Sequence, residues 1–150
     1  MGPSDEHVVR LTRVLRASPD EVFAAWTEPA RLERWWTGVG GWVEATADVD
    51  LRVGGRYHFS MRDEGGALHG VFGVYTEVAP RAGLGFTWTW ENEPGVMCGS
   101  EGSFVEVALQ AAPGGTQLTL THSGFGSKLV RDMHEEGWNA LLTNLFGALS

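Results

Sequence analysis

From Trp42 to His122, apolar and polar residues alternate, and the alternation is broken repeatedly by glycine-bearing segments. A period of two is the mark of strands that bury one face. The breaks at Gly54-Gly55, Asp63 to Gly66, Ala79 to Gly83, Glu91 to Gly99 and Pro113 to Gly115 divide the run. They leave strands at Trp42 to Leu51, Arg56 to Arg62, Leu68 to Val78, Leu84 to Trp90, Ser100 to Ala111 and Thr116 to His122. Strands joined by tight turns form an antiparallel meander. Such a sheet must cover its apolar face. The segment long enough to do so is Leu129 to Leu149, whose apolar residues Val130, Met133, Gly137, Leu141, Leu145 and Leu149 recur at helical spacing, with Trp138, Leu142 and Phe146 beside them. The implied architecture is α+β, a curved antiparallel sheet wrapped around a long C-terminal helix.

Upstream, Val8 to Ala17 alternates as a first strand. Ser18 then offers an N-cap, Pro19 suits the first helical position and Glu21 stands at the capping-box position. A helix is predicted over Pro19 to Thr27, with Val22, Phe23 and Trp26 on one face. Pro29 opens a second, carrying Leu32, Trp35 and Trp36, which stops near Gly38 to Gly41. The element order is β1-α1-α2-β2 to β7-α3, expected as one domain over 1–150 with its ordered core at about 8–149.

Charge narrows the partners. Eleven basic residues stand against 19 acidic ones, a net charge of -8, and the basic ones do not cluster. Counterion release on nucleic acid needs the opposite balance, and an anionic membrane surface is disfavoured for the same reason. No apolar run approaches the ~20 residues of a membrane span, and no apolar leader follows the N-terminus. The lone Cys98 makes no internal disulfide. The expected compartment is the cytoplasm, with monomer and homodimer both open.

A bent sheet and a straight helix do not match everywhere, so the gap is either filled by side chains or left as a cavity. Tyr57, Phe59, Met61, Trp88 and Trp90 face that gap by phase. Seven tryptophans are many for 150 residues and suit an aromatic wall. With Trp35, His122 and Trp138 they make the candidate ligand-binding set, against the alternative that all eight are plain core. His122 is in phase with Leu118 and Leu120, and is the first choice for orienting a ligand or moving a proton.

His69 and His134 are placed near a cavity mouth and His58 on the outer face; no pair has metal-ligand spacing, so neither metal nor cofactor is implied. Asp48, Asp50, Glu101 and Glu106 read as a solvated face, and Arg56 is out of phase with the inward set, although Arg56 and Arg62 are the cations that a carboxylate ligand would need. Cys98 has no activating neighbour in sequence. Ser123 lacks the nucleophile-elbow flanks, and Gly38 to Gly41 lacks a following Lys-Ser/Thr.

Several segments together resemble the START-like, SRPBCC superfamily. They are Ser-Pro-Asp-Glu-Val-Phe-Ala-Ala-Trp-Thr-Glu-Pro (18–29), Leu-Glu-Arg-Trp-Trp (32–36), Gly-Gly-Arg-Tyr (54–57), Leu-Gly-Phe-Thr-Trp (84–88), Gly-Gly-Thr-Gln-Leu-Thr-Leu-Thr-His (114–122) and Gly-Trp-Asn-Ala-Leu-Leu (137–142). Within that superfamily the chain is similar to the branch named for activator of heat-shock-protein-90 ATPase homologue 1. The resemblance implies the helix-grip fold. It implies no single activity, because superfamily members bind lipids, hormones and polyketides, some are cyclases, and others assist chaperones. The expected function is binding of a small hydrophobic or aromatic molecule. The alternatives are a cofactor-independent cyclase or hydratase and a module that stimulates a chaperone ATPase.

Overall fold

A computed structural model of the chain describes residues 7–37, 42–91 and 102–149. Its elements are β1 (Val9–Leu15), α1 (Pro19–Thr27), α2 (Pro29–Trp35), β2 (Trp42–Val49), β3 (Arg56–Asp63), β4 (Leu68–Ala79), β5 (Gly83–Trp90), β6 (Ser103–Ala112), β7 (Gly115–Ser123) and α3 (Lys128–Ala148). The strands form one antiparallel sheet in the order β1-β7-β6-β5-β4-β3-β2. This is the expected α+β architecture with the expected element order.

The sheet curls strongly. Laid flat, seven strands would span about 29 Å from first to last, while a helix with its side chains is about 10–12 Å across. Yet α3 reaches both edges. Arg131 Nε donates to Val8 O at 2.9 Å, just before β1, and Arg13 of β1 donates to Asn139. At the other edge Trp42 of β2 lines the same cavity as Met133 of α3. Register shifts at Trp42/Glu44 and Tyr75/Glu77 help the sheet to bend. Gly73 marks a close approach within it, since a Cβ there would lie 2.1 Å from Thr87 O.

The capping signal read at Ser18 is satisfied, and the structure adds others that the sequence reading did not name. Ser18 Oγ accepts from Glu21 N at 3.2 Å and opens α1. Ser127 Oγ accepts from Val130 N at 3.2 Å and opens α3, a cap of the kind that contributes about 1 kcal/mol. Trp35 Nε1 donates to Ala25 O at 2.9 Å and ties α2 to α1. Asn144 Nδ2 donates to Trp35 O at 2.7 Å and Thr37 O at 2.8 Å, so α3 satisfies carbonyls at the end of α2.

The buried faces follow the period-two phases: Tyr57, Phe59 and Met61 on β3, Leu84, Phe86 and Trp88 on β5, and Leu118, Leu120 and His122 on β7. The helix departs from its predicted stripe. Its buried residues are Val130, His134, Trp138, Leu141, Leu142 and Leu145, while Met133 is 50% exposed and Phe146 39%. The reason is polar. His134 and Trp138 each hydrogen-bond to a ring on the sheet, which turns their side of α3 inward. The row Met133, Gly137 and Leu141 is thereby moved toward one border of the interface. The predicted start of β6 at Ser100, and the readings of Cys98, Glu101 and Gly38 to Gly41, lie outside the described residues.

Candidate functional site

Between the sheet and α3 lies a cavity of about 290 Å³. The sheet supplies Trp42 from β2, Met61 from β3, and Trp88 and Trp90 from β5; α2 ends in Trp36; α3 supplies Met133, His134, Gly137, Trp138 and Leu141. Exposure sorts this wall by depth. Trp36, Met61, Trp88, Trp138 and Leu141 are buried and form the floor. Trp42, Trp90, Met133 and Gly137 are half-buried or exposed and form the rim. The rings of the floor touch one another: Trp88 and Trp138 centroids are 5.3 Å apart, and Trp36 and Trp138 centroids 5.8 Å in an edge-on contact.

The wall is apolar except at its ring nitrogens. No lining side chain among the described residues is a carboxylate, hydroxyl, amide, lysine or arginine. His134 Nε2 accepts from Trp90 Nε1 at 2.9 Å, so the ring proton sits on Nδ1, which donates to Val130 O at 2.8 Å. Behind the wall, Trp138 Nε1 donates to His122 Nδ1 at 3.0 Å. The His122 proton therefore sits on Nε2, 2.7 Å from Ser103 Oγ. The two imidazoles meet edge to face with centroids 5.3 Å apart. Burial, and secondarily the neighbouring His134, hold His122 well below the usual histidine range. Burial also lowers His134, against a smaller opposing effect of its bond to Val130 O. Both rings are neutral at pH 7 and each lone pair holds an indole in place. Trp88 Nε1 is buried without a hydrogen-bond partner among the described residues.

The structure distributes the eight residues read from the sequence as ligand-binding. Met61, Trp88, Trp90 and Trp138 come together on the cavity wall. Trp35, Tyr57, Phe59 and His122 do not line it. Trp35 turns toward α1 and packs edge-on against Trp26, and its neighbour Trp36 takes the wall position, because consecutive helical residues point about 100° apart. Tyr57 and Phe59 lie further along β3, packed on each other at 4.8 Å. His122 points inward as its phase predicts but is 0% exposed, screened by Trp88 and Trp138.

Sequence reading did not place Trp36, Trp42, Met133, Gly137 or Leu141 on the wall. Three of these carried a usable signal, since Met133, Gly137 and Leu141 are spaced by four and share a helix face. His134 was placed near a mouth and does line the cavity.

Other polar groups lie off the wall, although His69, read as near the mouth, packs on the rim ring of Trp42 with centroids 4.8 Å apart. His58 pairs with Glu91 at 2.9 Å on the outer face, and His69 with Asp63 at 2.9 Å. Asp48, Asp50, Glu106, Arg56 and Arg62 are exposed. Among the described residues no three His, Cys, Asp or Glu side chains converge as metal ligands. A furrow of about 410 Å³ runs along the outer face of the sheet past Asp48, Arg56, His58 and Phe72. It is the larger space, but a shallow and charged one. Enclosure and an apolar wall with a few placed polar groups are what retain a small molecule, and these belong to the inner cavity.

The family model described as Activator of Hsp90 ATPase homolog 1-like protein matches residues 16–150. Among solved structures, protein CV1439 from Chromobacterium violaceum is similar with a TM-score of 0.81 and 24% identity, covering 95% of this chain and 96% of that one. Protein NE0264 from Nitrosomonas europaea has a TM-score of 0.78 and 25% identity, covering 96% and 94%. The AHSA1-like protein from Aeromonas hydrophila has a TM-score of 0.78 and 25% identity, covering 94% and 90%. No curated protein matches the chain. These likenesses carry the helix-grip fold, with its curled seven-stranded sheet and C-terminal helix.

Proposed function

The chain belongs to the Activator of Hsp90 ATPase homolog 1-like family, and from that premise we propose that it binds a small hydrophobic or aromatic molecule between the sheet and α3. The observation that carries this reading is the cavity of about 290 Å³ whose wall holds five of the chain's seven tryptophans. Ligand pockets begin at about 300 Å³ and are apolar with a few oriented polar groups. A wall without cations or carboxylates gives an ionic ligand nothing to pair with, so the ligand is uncharged where it is enclosed. The reading is of a cytoplasmic protein that takes up such a molecule; no described helix is long and apolar enough to cross a membrane.

The cyclase or hydratase alternative has less support. His134 is the wall's acid–base group, and both its nitrogens are already engaged. Family membership alone speaks for a chaperone partner, and a pull-down with the chaperone at micromolar concentration tests that.

Native mass spectrometry of gently purified protein, followed by extraction, tests ligand binding. A discrete added mass of a few hundred daltons is expected, the order for a molecule filling a pocket of ~300 Å³. A bare mass, together with unchanged tryptophan fluorescence on titration with neutral aromatic compounds, overturns the reading.

A further inference from the structure

The row of α3 that borders the cavity runs Met133, Gly137, Leu141, one residue per turn. Its two ends differ in depth: Met133 is 50% exposed and Leu141 7%. Gly137 stands between them, exposed to solvent and lining the cavity at once. A Cβ built on Gly137 meets no atom within 4 Å. Nothing in the helix requires glycine there. The residue sits in the middle of a 21-residue helix, where glycine is the poorest choice after proline, and no close neighbour excludes a side chain. What its missing side chain does provide is free space at the cavity border, on a wall that α3 shares with the rim indoles Trp42 and Trp90.

We infer that Gly137 is the portal of the cavity and the residue that sets how large a ligand passes. The inference rests on the proposed ligand-binding function and adds to it a route and a size limit. Ligand enters across the middle of α3, not from an end of the sheet. It passes edge-on between Gly137 and the rim indoles, and comes to rest on Trp88 and Trp138. A larger side chain at 137 narrows the portal without touching the floor.

The test uses two uncharged aromatic probes of different size, naphthalene and N-phenyl-1-naphthylamine. Each is titrated into the wild-type chain, Gly137→Ala, Gly137→Leu and the control Gly147→Leu, with stopped-flow fluorescence giving the two rate constants. Gly147 also has nothing within 4 Å of a built Cβ, but it does not line the cavity. Association with Gly137→Leu is expected to slow by about tenfold or more, within the range that on-rates span among variants of one site. The loss is larger for N-phenyl-1-naphthylamine than for naphthalene. Gly137→Ala lies between, and Gly147→Leu matches the wild type. Dissociation slows along with association, because one opening serves both directions.

Unchanged association in Gly137→Leu overturns the portal and leaves the binding function standing. Affinity lost only through faster dissociation also overturns it, making Gly137 a wall position. If the wild-type chain binds neither probe, the proposed function and the portal fall together.

Discussion

His122 and His134 show how few groups fix the interior. Each is a neutral imidazole whose lone pair accepts an indole N–H, from Trp138 and Trp90 respectively. Protonating either ring puts a donor where an acceptor is needed and brings a positive charge beside its partner ring. The linkage sign follows from burial. Both folded-state pKa values lie below the ordinary value of 6.5, so below that pH the unfolded chain binds more protons than the folded one. Stability is then full above about pH 6.5 and declines as pH falls through the window between the unfolded and folded values. Thermal midpoints measured from about pH 8 down to pH 5 are expected to drop, with a smaller slope in His134→Leu; a flat profile would contradict the neutral pair. The phase of β7 made an inward His122 legible. Its screening behind Trp88 and Trp138 was not, because a period of two gives the face of a strand and says nothing of what lies across from it.

At the scale of elements, α3 carries half of the cavity wall and departs most from its predicted stripe. Helical spacing gives a wide apolar arc, and that arc contains both Met133 and His134. Which edge turns inward was decided by His134 and Trp138 finding partners on β5 and β7. The helix also holds two glycines, Gly137 and Gly147, each with open space at its Cβ position. Gly137→Ala and Gly147→Ala are each expected to stabilise the fold by about 0.5–1 kcal/mol, the helix-propensity difference. Urea unfolding checks this, and a loss of stability at position 137 would mean that a side chain there meets an obstacle. The strands were more legible than the helix face. Alternation gave β3, β5 and β7 nearly to the residue, and the caps at Ser18 and Pro19 gave the start of α1.

For the whole molecule, a ligand that binds only the folded state raises the unfolding midpoint by mass action. A neutral aromatic ligand at about 100 times its dissociation constant contributes about 2.7 kcal/mol, or about 5–10 °C for a chain of this size. Differential scanning calorimetry at increasing ligand concentration reads it, and a midpoint independent of concentration would mean no binding to the native state. The cavity proposed to hold that ligand exists because a curled sheet and a straight helix diverge. Sequence by itself determined the element order, the inward phases, the turns among the described residues and the family, because these depend on residues close together in the chain or on joint patterns along it. Only the tertiary structure decided that Trp36 and not Trp35 meets the cavity, that Trp42 and Gly137 share a rim, and that His122 lies behind the wall. Those facts depend on the curl of the sheet and the rotation of α3 about its axis, and both are settled by contacts between residues far apart in sequence.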